Sequence, residues 1–174
     1  LMVGSANLSK KGSFLEKIKF FKNQKLERDT TDVKSVISAC YNMSETKTGA
    51  LIVIERSNNL NFIANSGDDM NITVTQPILE SIFFKNSPLH DGAIIISNNI
   101  IKATRVILPI NSDIKISSKL GLRHRAAVSI TEKTDAVAIV VSEETGKISY
   151  LKSGEFIQFS SEDEIVKILE KDIS

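Results

Sequence analysis

Apolar positions along the chain follow two rhythms. Short, nearly unbroken apolar runs at Ala50 to Glu55, Ala93 to Ser97 and Asp135 to Ser142 have the length and continuity of strands buried on both faces. Between them apolar residues recur at helical spacing. Val33, Val36, Ile37 and Cys40 predict a helix over about Asp32 to Met43, capped by Thr30 or Thr31. Ile78, Leu79, Ile82 and Phe83 predict a second, capped by Thr75 with Pro77 in its first turn. A third is expected over about Lys119 to Thr131, and a last one carries Ile165, Ile168 and Leu169 inward behind the capping box Ser161 to Glu164.

The polar intervals complete the pattern. Ser57-Asn58-Asn59 supplies turn chemistry that would fold Leu60 to Ala64 back on the first run as a hairpin, and Ser66 to Asp69 reads as a polar turn. Asn98-Asn99 tolerates the positive φ of a tight turn and joins Ala93–Ser97 to a strand at Ile100 to Leu108, which Lys102, Thr104 and Arg105 mark as exposed. Pro109 ends that strand, and Asn111 to Ser118 is a polar connection expected to border the functional site. Glu143-Glu144-Thr145-Gly146 turns the third run into Ile148 to Leu151, and a short strand follows near Phe156 to Phe159. Strands alternating with helices, many of them joined by hairpins, predict an α/β fold: a single domain with a mixed, largely hairpin-built central sheet flanked by helices.

Composition narrows the function classes. The chain has 174 residues, 41% of them hydrophobic and 25% charged, which suits one globular domain with a real core. A formal net charge of +1 argues for no nucleic-acid partner. The single Cys40 cannot form an intrachain disulfide, and its place in an apolar helical pattern marks it as a core residue of a protein from a reducing, cytoplasmic setting. No apolar run approaches the roughly 18 residues of a membrane span.

Charge is unevenly placed. Between Lys10 and Arg28 seven basic residues (Lys10, Lys11, Lys17, Lys19, Lys22, Lys25, Arg28) stand against Glu16 and Glu27. Phe14, Leu15, Ile18 and Phe21 recur there at helical spacing, so residues 1–28 read as a basic amphipathic segment, either a juxtamembrane helix or one that docks on its own domain. Docking is the blander reading and stands slightly ahead. Residues 29–174 form the globular domain. Leu1 is not an initiator, so the amino end is read as processed, truncated or partly a scar, and a membrane attachment N-terminal to this chain, at the cytoplasmic face, stays open.

Chemically capable residues concentrate between Asn86 and Ala127, a window that holds both histidines, His90 and His124. Asp91 is a hard-ligand carboxylate beside His90 and before Gly92, where the backbone can turn tightly and approach a ligand. Arg123 and Arg125 flank His124 just after Gly121, at the start of a helix-compatible run. Guanidinium groups grip phosphate bidentately and a helix start adds free N–H groups. A metal-holding carboxylate and a basic phosphate grip are the minimum for phosphoryl or nucleotidyl transfer. Taken singly, Asp-Gly-Ala is most often a turn and Arg-His-Arg a solvated basic face.

Together and in this order, about thirty residues apart, the two motifs closely resemble the bacterial diadenylate cyclase (DAC) domain family. The blocks Thr48-Gly49-Ala50-Leu51-Ile52-Val53-Ile54-Glu55-Arg56, Asn86-Ser87-Pro88-Leu89-His90-Asp91-Gly92-Ala93, Leu120-Gly121 with Arg123-His124-Arg125-Ala126-Ala127-Val128, and Val141-Ser142-Glu143-Glu144-Thr145-Gly146 stand in the family's order over residues 48 to 146. Two positions depart. Leu122 stands where the family usually has threonine, which removes a hydroxyl near the phosphates, and Ile107 where it often has tyrosine, which removes an aromatic able to stack on adenine.

The resemblance implies an enzyme, a nucleotidyltransferase that condenses two ATP into cyclic di-AMP with Mg2+ or Mn2+ in a face-to-face homodimer. On it, Asp91 would ligate the metal and orient the attacking hydroxyl, with His90 as a weaker second ligand. Gly92 and the adjoining Ala93 would let the nucleotide near the backbone. Arg123, His124 and Arg125, with Gly121 and Leu122 at the helix start, would hold the triphosphate. Ser142, Glu143 and Glu144 would line the nucleotide or metal site, and Leu89 and Ile107 would wall an adenine slot. Ordinary turn solvation for the two glutamates, and core packing for Leu89 and Ile107, compete with these roles. Two other functions fit the same residues: a nucleotide- or cyclic-dinucleotide-sensing module of the same fold, which Leu122 invites, and a membrane-surface adaptor built on Phe14 to Phe21.

Overall fold

The computed structural model describes residues 13–19, 30–113, 117 and 119–174. The chain divides into two compact units, Leu1–Thr30 and Thr31–Ser174. In the first, α1 spans residues 13–19, with Phe14, Leu15 and Ile18 exposed; Phe21 lies outside the described residues.

The second unit is built on one seven-stranded sheet. Its elements in order are α2 (Val33–Glu45), β1 (Ala50–Ile54), α3 (Asn61–Ala64), β2 (Asp68–Thr73), α4 (Gln76–Phe83), β3 (Ala93–Ser97), β4 (Ile100–Val106), α5 (Leu122–Lys133), β5 (Val137–Val141), β6 (Ile148–Lys152), β7 (Glu155–Ile157) and α6 (Glu162–Ile173). The strand order is β2-β4-β3-β1-β5-β6-β7. Only β1 and β3 pair in parallel among the described strands, joined through α3, β2 and α4; every other neighbour is antiparallel. This is the mixed, helix-flanked sheet that the apolar pattern implies.

Strand alternation explains why there are two cores. β1 and β5 are buried at all five positions, as their unbroken apolar runs require. Ile52, Ile54, Ile94, Ile96, Val137 and Ile139 face one way, against Val36, Ile37 and Cys40 of α2, Leu79 and Phe83 of α4, and Ile165 and Leu169 of α6. Leu51, Val53, Ala93, Ile95, Ala138 and Val140 face the other way, against Leu60 and Ile63 near α3 and Ala126, Ala127 and Ile130 of α5. Burial raises the Cys40 thiol to about 12, so it stays protonated and inert.

Several local expectations are corrected. Leu60 to Ala64 is no strand: α3 occupies Asn61–Ala64, and no hairpin with β1 forms. The Asn59 side chain accepts from Asn61 N at 2.6 Å and the Glu55 carboxylate from Leu60 N at 2.8 Å, which turns the chain into a helical step that buries Leu60, Ile63 and Ala64. The polar stretch read as a turn opens an edge strand, β2, whose two leading aspartates also discourage further pairing. Asp32, not Thr30 or Thr31, caps α2, accepting from Ser35 N at 3.0 Å, while the Thr31 hydroxyl accepts from Asn99 N. Thr104 is fully buried rather than exposed. The register of β4 against β3 shifts there and Arg105 has φ 55°, so a bulge turns consecutive residues inward and leaves the Thr104 hydroxyl with no partner among the described residues. In α6, Ser161 accepts from Glu164 N as expected, but the Glu164 carboxylate returns to Ser160, not Ser161.

One cluster ties α6 to the sheet. The fully buried Tyr150 donates from its hydroxyl to Asp172 Oδ2 at 2.8 Å, and Lys152 pairs with Asp172 Oδ1. Burial pushes the Asp172 carboxyl up, but the bonds from Lys152 and Tyr150 outweigh it and hold it below its ordinary value. Such a group stabilises the fold above its unfolded pKa, about 3.9, and that contribution is lost as pH falls through the lower folded value. Asp172→Ala is therefore expected to cost about 1–3 kcal/mol at neutral pH, the penalty of stranding a buried donor. Urea unfolding of both chains from neutral to strongly acidic pH should show that difference narrowing in acid.

Candidate active site

The functional residues gather at one end of the sheet, where β1 and β3 begin and β4 and β5 end. A cavity of about 850 Å3 opens there, and its lining includes Leu51, Ala93, Val106 and Val140 from those four strands. Of the residues singled out in the sequence, His90, Asp91, Gly92, Ala93, Ile107, Gly121, Leu122, Arg123, His124, Ser142, Glu143 and Glu144 all line it. Leu89 and Arg125 do not. Leu89 packs against the core on the α2, α4 and α6 side of the sheet. Arg125 donates from Nε to the Leu120 carbonyl at 3.2 Å, since neighbouring residues on a helix point about 100° apart and cannot all face one ligand.

The turn into β3 sets the first group. Ser87 N donates to the Phe84 carbonyl, and Leu89 N to the Ser87 hydroxyl, which winds the chain tightly before the strand. The His90 Nδ1 lies 2.7 Å from the Ser87 carbonyl, which can only accept, so Nδ1 carries the hydrogen. The other ring nitrogen, Nε2, lies 3.2 Å from Asp91 Oδ1. The Asp91 side chain is 83% exposed. The backbone also requires glycine at Gly92, since its φ is +91° and a Cβ would stand 2.8 Å from the Arg105 carbonyl carbon.

These donors can be tested against the divalent ion that the sequence resemblance implies. Among the described residues no group of three or more His, Cys, Asp or Glu is placed to hold a metal. The exposed Asp91 carboxylate nevertheless suits a Mg2+-like ion, which is commonly held by one or two carboxylates and completed by substrate phosphates and water, with the carbonyl-oriented His90 ring beside it as the weaker donor. The residues present fit such an ion.

The second group comes from α5 and the β5–β6 turn. Gly121 is the N-cap of α5 and provides no side-chain bond, so the first N–H groups of this twelve-residue helix open beside Gly121, Leu122 and Arg123 of the lining. Arg123 donates from Nη1 to Glu143 Oε2 at 2.9 Å, and its buried Nε has no partner among the described residues. His124 behaves differently. It is buried, its Nε2 lies 3.3 Å from the Ser149 hydroxyl, and its ring stacks on Phe156 with centroids 6.2 Å apart. Burial, then the neighbouring Lys147, lowers its pKa, which favours the uncharged ring.

Ser142 shapes the turn that carries Glu143. Its hydroxyl accepts from Glu144 N at 3.3 Å and Thr145 N at 3.2 Å, and Gly146 closes the turn with φ +76°. Lys119, Lys147, Ser149 and Phe156 also line the cavity and were missed in the sequence. Lys147 follows the recognised turn by one residue and was within reach of sequence reasoning. Ser149 and Phe156 were not, because only the order β5-β6-β7 brings them to His124. Ile107 and Leu122, the two departures from the family pattern, are 73% and 72% exposed and give the lining an outward-facing aliphatic margin.

The chain is similar to known proteins over most of its length. The chain is 44% identical over 119 residues to "Diadenylate cyclase CdaS" of Bacillus thuringiensis, covering 68% of this chain and 59% of that protein. It is 39% identical over 144 residues to "Cyclic di-AMP synthase CdaA" of Bacillus subtilis, covering 83% and 53%. It thus spans between half and two thirds of these relatives' length. Among solved structures, a double mutant of DacA from Staphylococcus aureus superposes with a TM-score of 0.76 at 39% identity, covering 80% of this chain and 93% of that one. The family profile described as "DisA bacterial checkpoint controller nucleotide-binding" matches residues 37–156, and the chain belongs to this DAC family.

Proposed function

We propose that the chain is the catalytic part of a diadenylate cyclase, joining two ATP molecules into cyclic di-AMP with release of two pyrophosphates. The observation that carries this reading is the meeting, in one cavity, of the donors His90 and Asp91 with the Arg123 guanidinium and the uncapped start of α5. The names of the relatives support it, since they are called diadenylate cyclases and a cyclic di-AMP synthase.

Each turnover makes two phosphodiester bonds. The 3′-oxygen of one ATP attacks the α-phosphorus of the other, its proton is lost, and the bond from that phosphorus to pyrophosphate breaks; the reciprocal step closes the ring. Asp91, with His90 as the weaker second ligand, would hold a Mg2+ or Mn2+ ion, which would supply Lewis-acid neutralisation of the phosphate oxygens. Asp91 also orients the attacking hydroxyl. Arg123 and the free N–H groups of α5 face the negative charge that develops as pyrophosphate departs, which is where preorganised donors lower a barrier most. The buried His124 keeps the start of α5 in place through Ser149 and Phe156.

A cavity of about 850 Å3 is of the size that encloses one small-molecule ligand. One chain then holds one ATP, and joining two needs two chains facing each other across a two-fold axis. The exposed Ile107 and Leu122 side chains fit such a face, since covering them removes apolar surface from water. Leu122 cannot provide the hydroxyl that the family's usual threonine would offer a phosphate, but the helix-start N–H groups and the lining cations Lys119 and Lys147 remain as donors. The test is whether the chain converts ATP to cyclic di-AMP with Mn2+ present; absence of product from ATP-loaded protein would favour a nucleotide sensor.

A further inference from the structure

Gly49 stands immediately before β1, at the end of the sheet where the cavity opens, and is not part of the cavity lining. Its backbone does not need glycine, because its φ lies outside the left-handed region. Space does. A Cβ at position 49 would lie 2.6 Å from Arg123 Nη1, 2.9 Å from Arg123 Cζ and 3.1 Å from Glu143 Cβ. The guanidinium therefore lies across the bare Cα of Gly49 while Nη1 donates to Glu143 Oε2.

We infer that Gly49 is a positioning residue: the missing side chain forms the slot in which the Arg123 guanidinium is held for the ATP phosphates. The inference rests on the role given to Arg123 under the proposed function. An arginine has four rotatable side-chain bonds, and a grip on developing charge works only if that freedom is removed before the substrate arrives. Two contacts remove it here, the Glu143 carboxylate at one end and the floor at Gly49 beneath. A methyl group at position 49 would collide hardest with the far end of a flexible side chain, which can swing away, and would press on Glu143 Cβ, which has to give by a few tenths of an ångström, so the larger part of the cost falls on the guanidinium's place.

The experiment is a double-mutant cycle on Gly49→Ala and Arg123→Ala, read by calorimetric binding of ATP with Mg2+, by the rate of cyclic di-AMP formation and by melting temperature. Gly49→Ala should melt within a few degrees of the unaltered chain, bind ATP several-fold more weakly, and lose on the order of 10- to 100-fold in rate, the scale of a displaced catalytic group. In the Arg123→Ala background the same substitution should weaken ATP binding far less, because the main group it displaces is gone and only the lighter contact with Glu143 Cβ remains. Unaltered binding and rate in Gly49→Ala would overturn the inference. So would an equal weakening of ATP binding in both backgrounds, or a Gly49→Ala chain that does not fold, since either gives Gly49 a role independent of Arg123. If the unaltered chain binds ATP yet forms no cyclic di-AMP, the proposed reaction fails while the binding cycle still decides the role of Gly49; if it binds no ATP, both fall.

Discussion

Asp91→Asn is expected to abolish cyclic di-AMP formation while leaving the melting temperature unchanged. The side chain is 83% exposed and, among the described residues, meets His90 Nε2, so nothing in the core depends on its charge. Asparagine keeps the size and the carbonyl oxygen but loses the negative charge and the second acceptor that hold a divalent ion. Losing a metal clamp on the reacting phosphates costs several kcal/mol, which corresponds to at least about 10³-fold in rate. If ATP still binds while turnover is lost, the carboxylate serves the transition state and not substrate capture. An Asp91→Asn chain that turns over at the normal rate would remove the central residue of the mechanism.

Arg123→Ala should lower the rate by on the order of 10²-fold or more, because a preorganised donor to developing charge is worth about that much. Arg123→Lys should recover little of it. Lysine is a point charge without the planar fork, and it would not fill the slot over Gly49 while also reaching Glu143. The contrast with Arg125 makes the expectation sharper than the motif alone allows. Arg125 is engaged with the Leu120 carbonyl and absent from the cavity lining, so Arg125→Ala should act through the segment leading into α5 and cost less than Arg123→Ala. Steady-state kinetics on the three variants, with circular dichroism to confirm folding, would settle the order. Equal losses at 123 and 125, or full activity in Arg123→Lys, would remove the bidentate grip.

What the sequence made legible was whatever depends on local pattern. The apolar runs at 50–54, 93–97 and 137–141 became the centre of the sheet, and Thr75 with Pro77 began α4 as its capping chemistry requires. What it concealed depends on partners far along the chain. The spacing of Leu60, Phe62 and Ala64 imitates a strand, but Glu55 and Asn59 draw the backbone amides into a helical turn. β2 has no alternation to announce it because it lies at an edge and takes its conformation from pairing with β4. Thr104 is polar and buried because a bulge shifted the alternation of β4. In the site, Asp91 and Arg123 were visible as chemistry within two short motifs, whereas the lowered pKa of His124, the turning away of Arg125 and the approach of Phe156 follow from burial and strand order. Gly49 sat within a recognised block, yet only the distance to a guanidinium 74 positions later gives it a reason to be glycine.

The central claim is that two facing chains join two ATP molecules. It is tested most directly by incubating the protein with ATP and Mn2+ across a dilution series, measuring cyclic di-AMP by mass spectrometry and the oligomer distribution by sedimentation. The account predicts that cyclic di-AMP appears and that the rate per chain falls as the dimer dissociates, because each chain supplies one half of the reacting pair. A rate per chain that stays constant down to concentrations where only monomer sediments would contradict the face-to-face mechanism, and ATP-loaded protein that forms no cyclic di-AMP at any concentration would contradict the reaction itself.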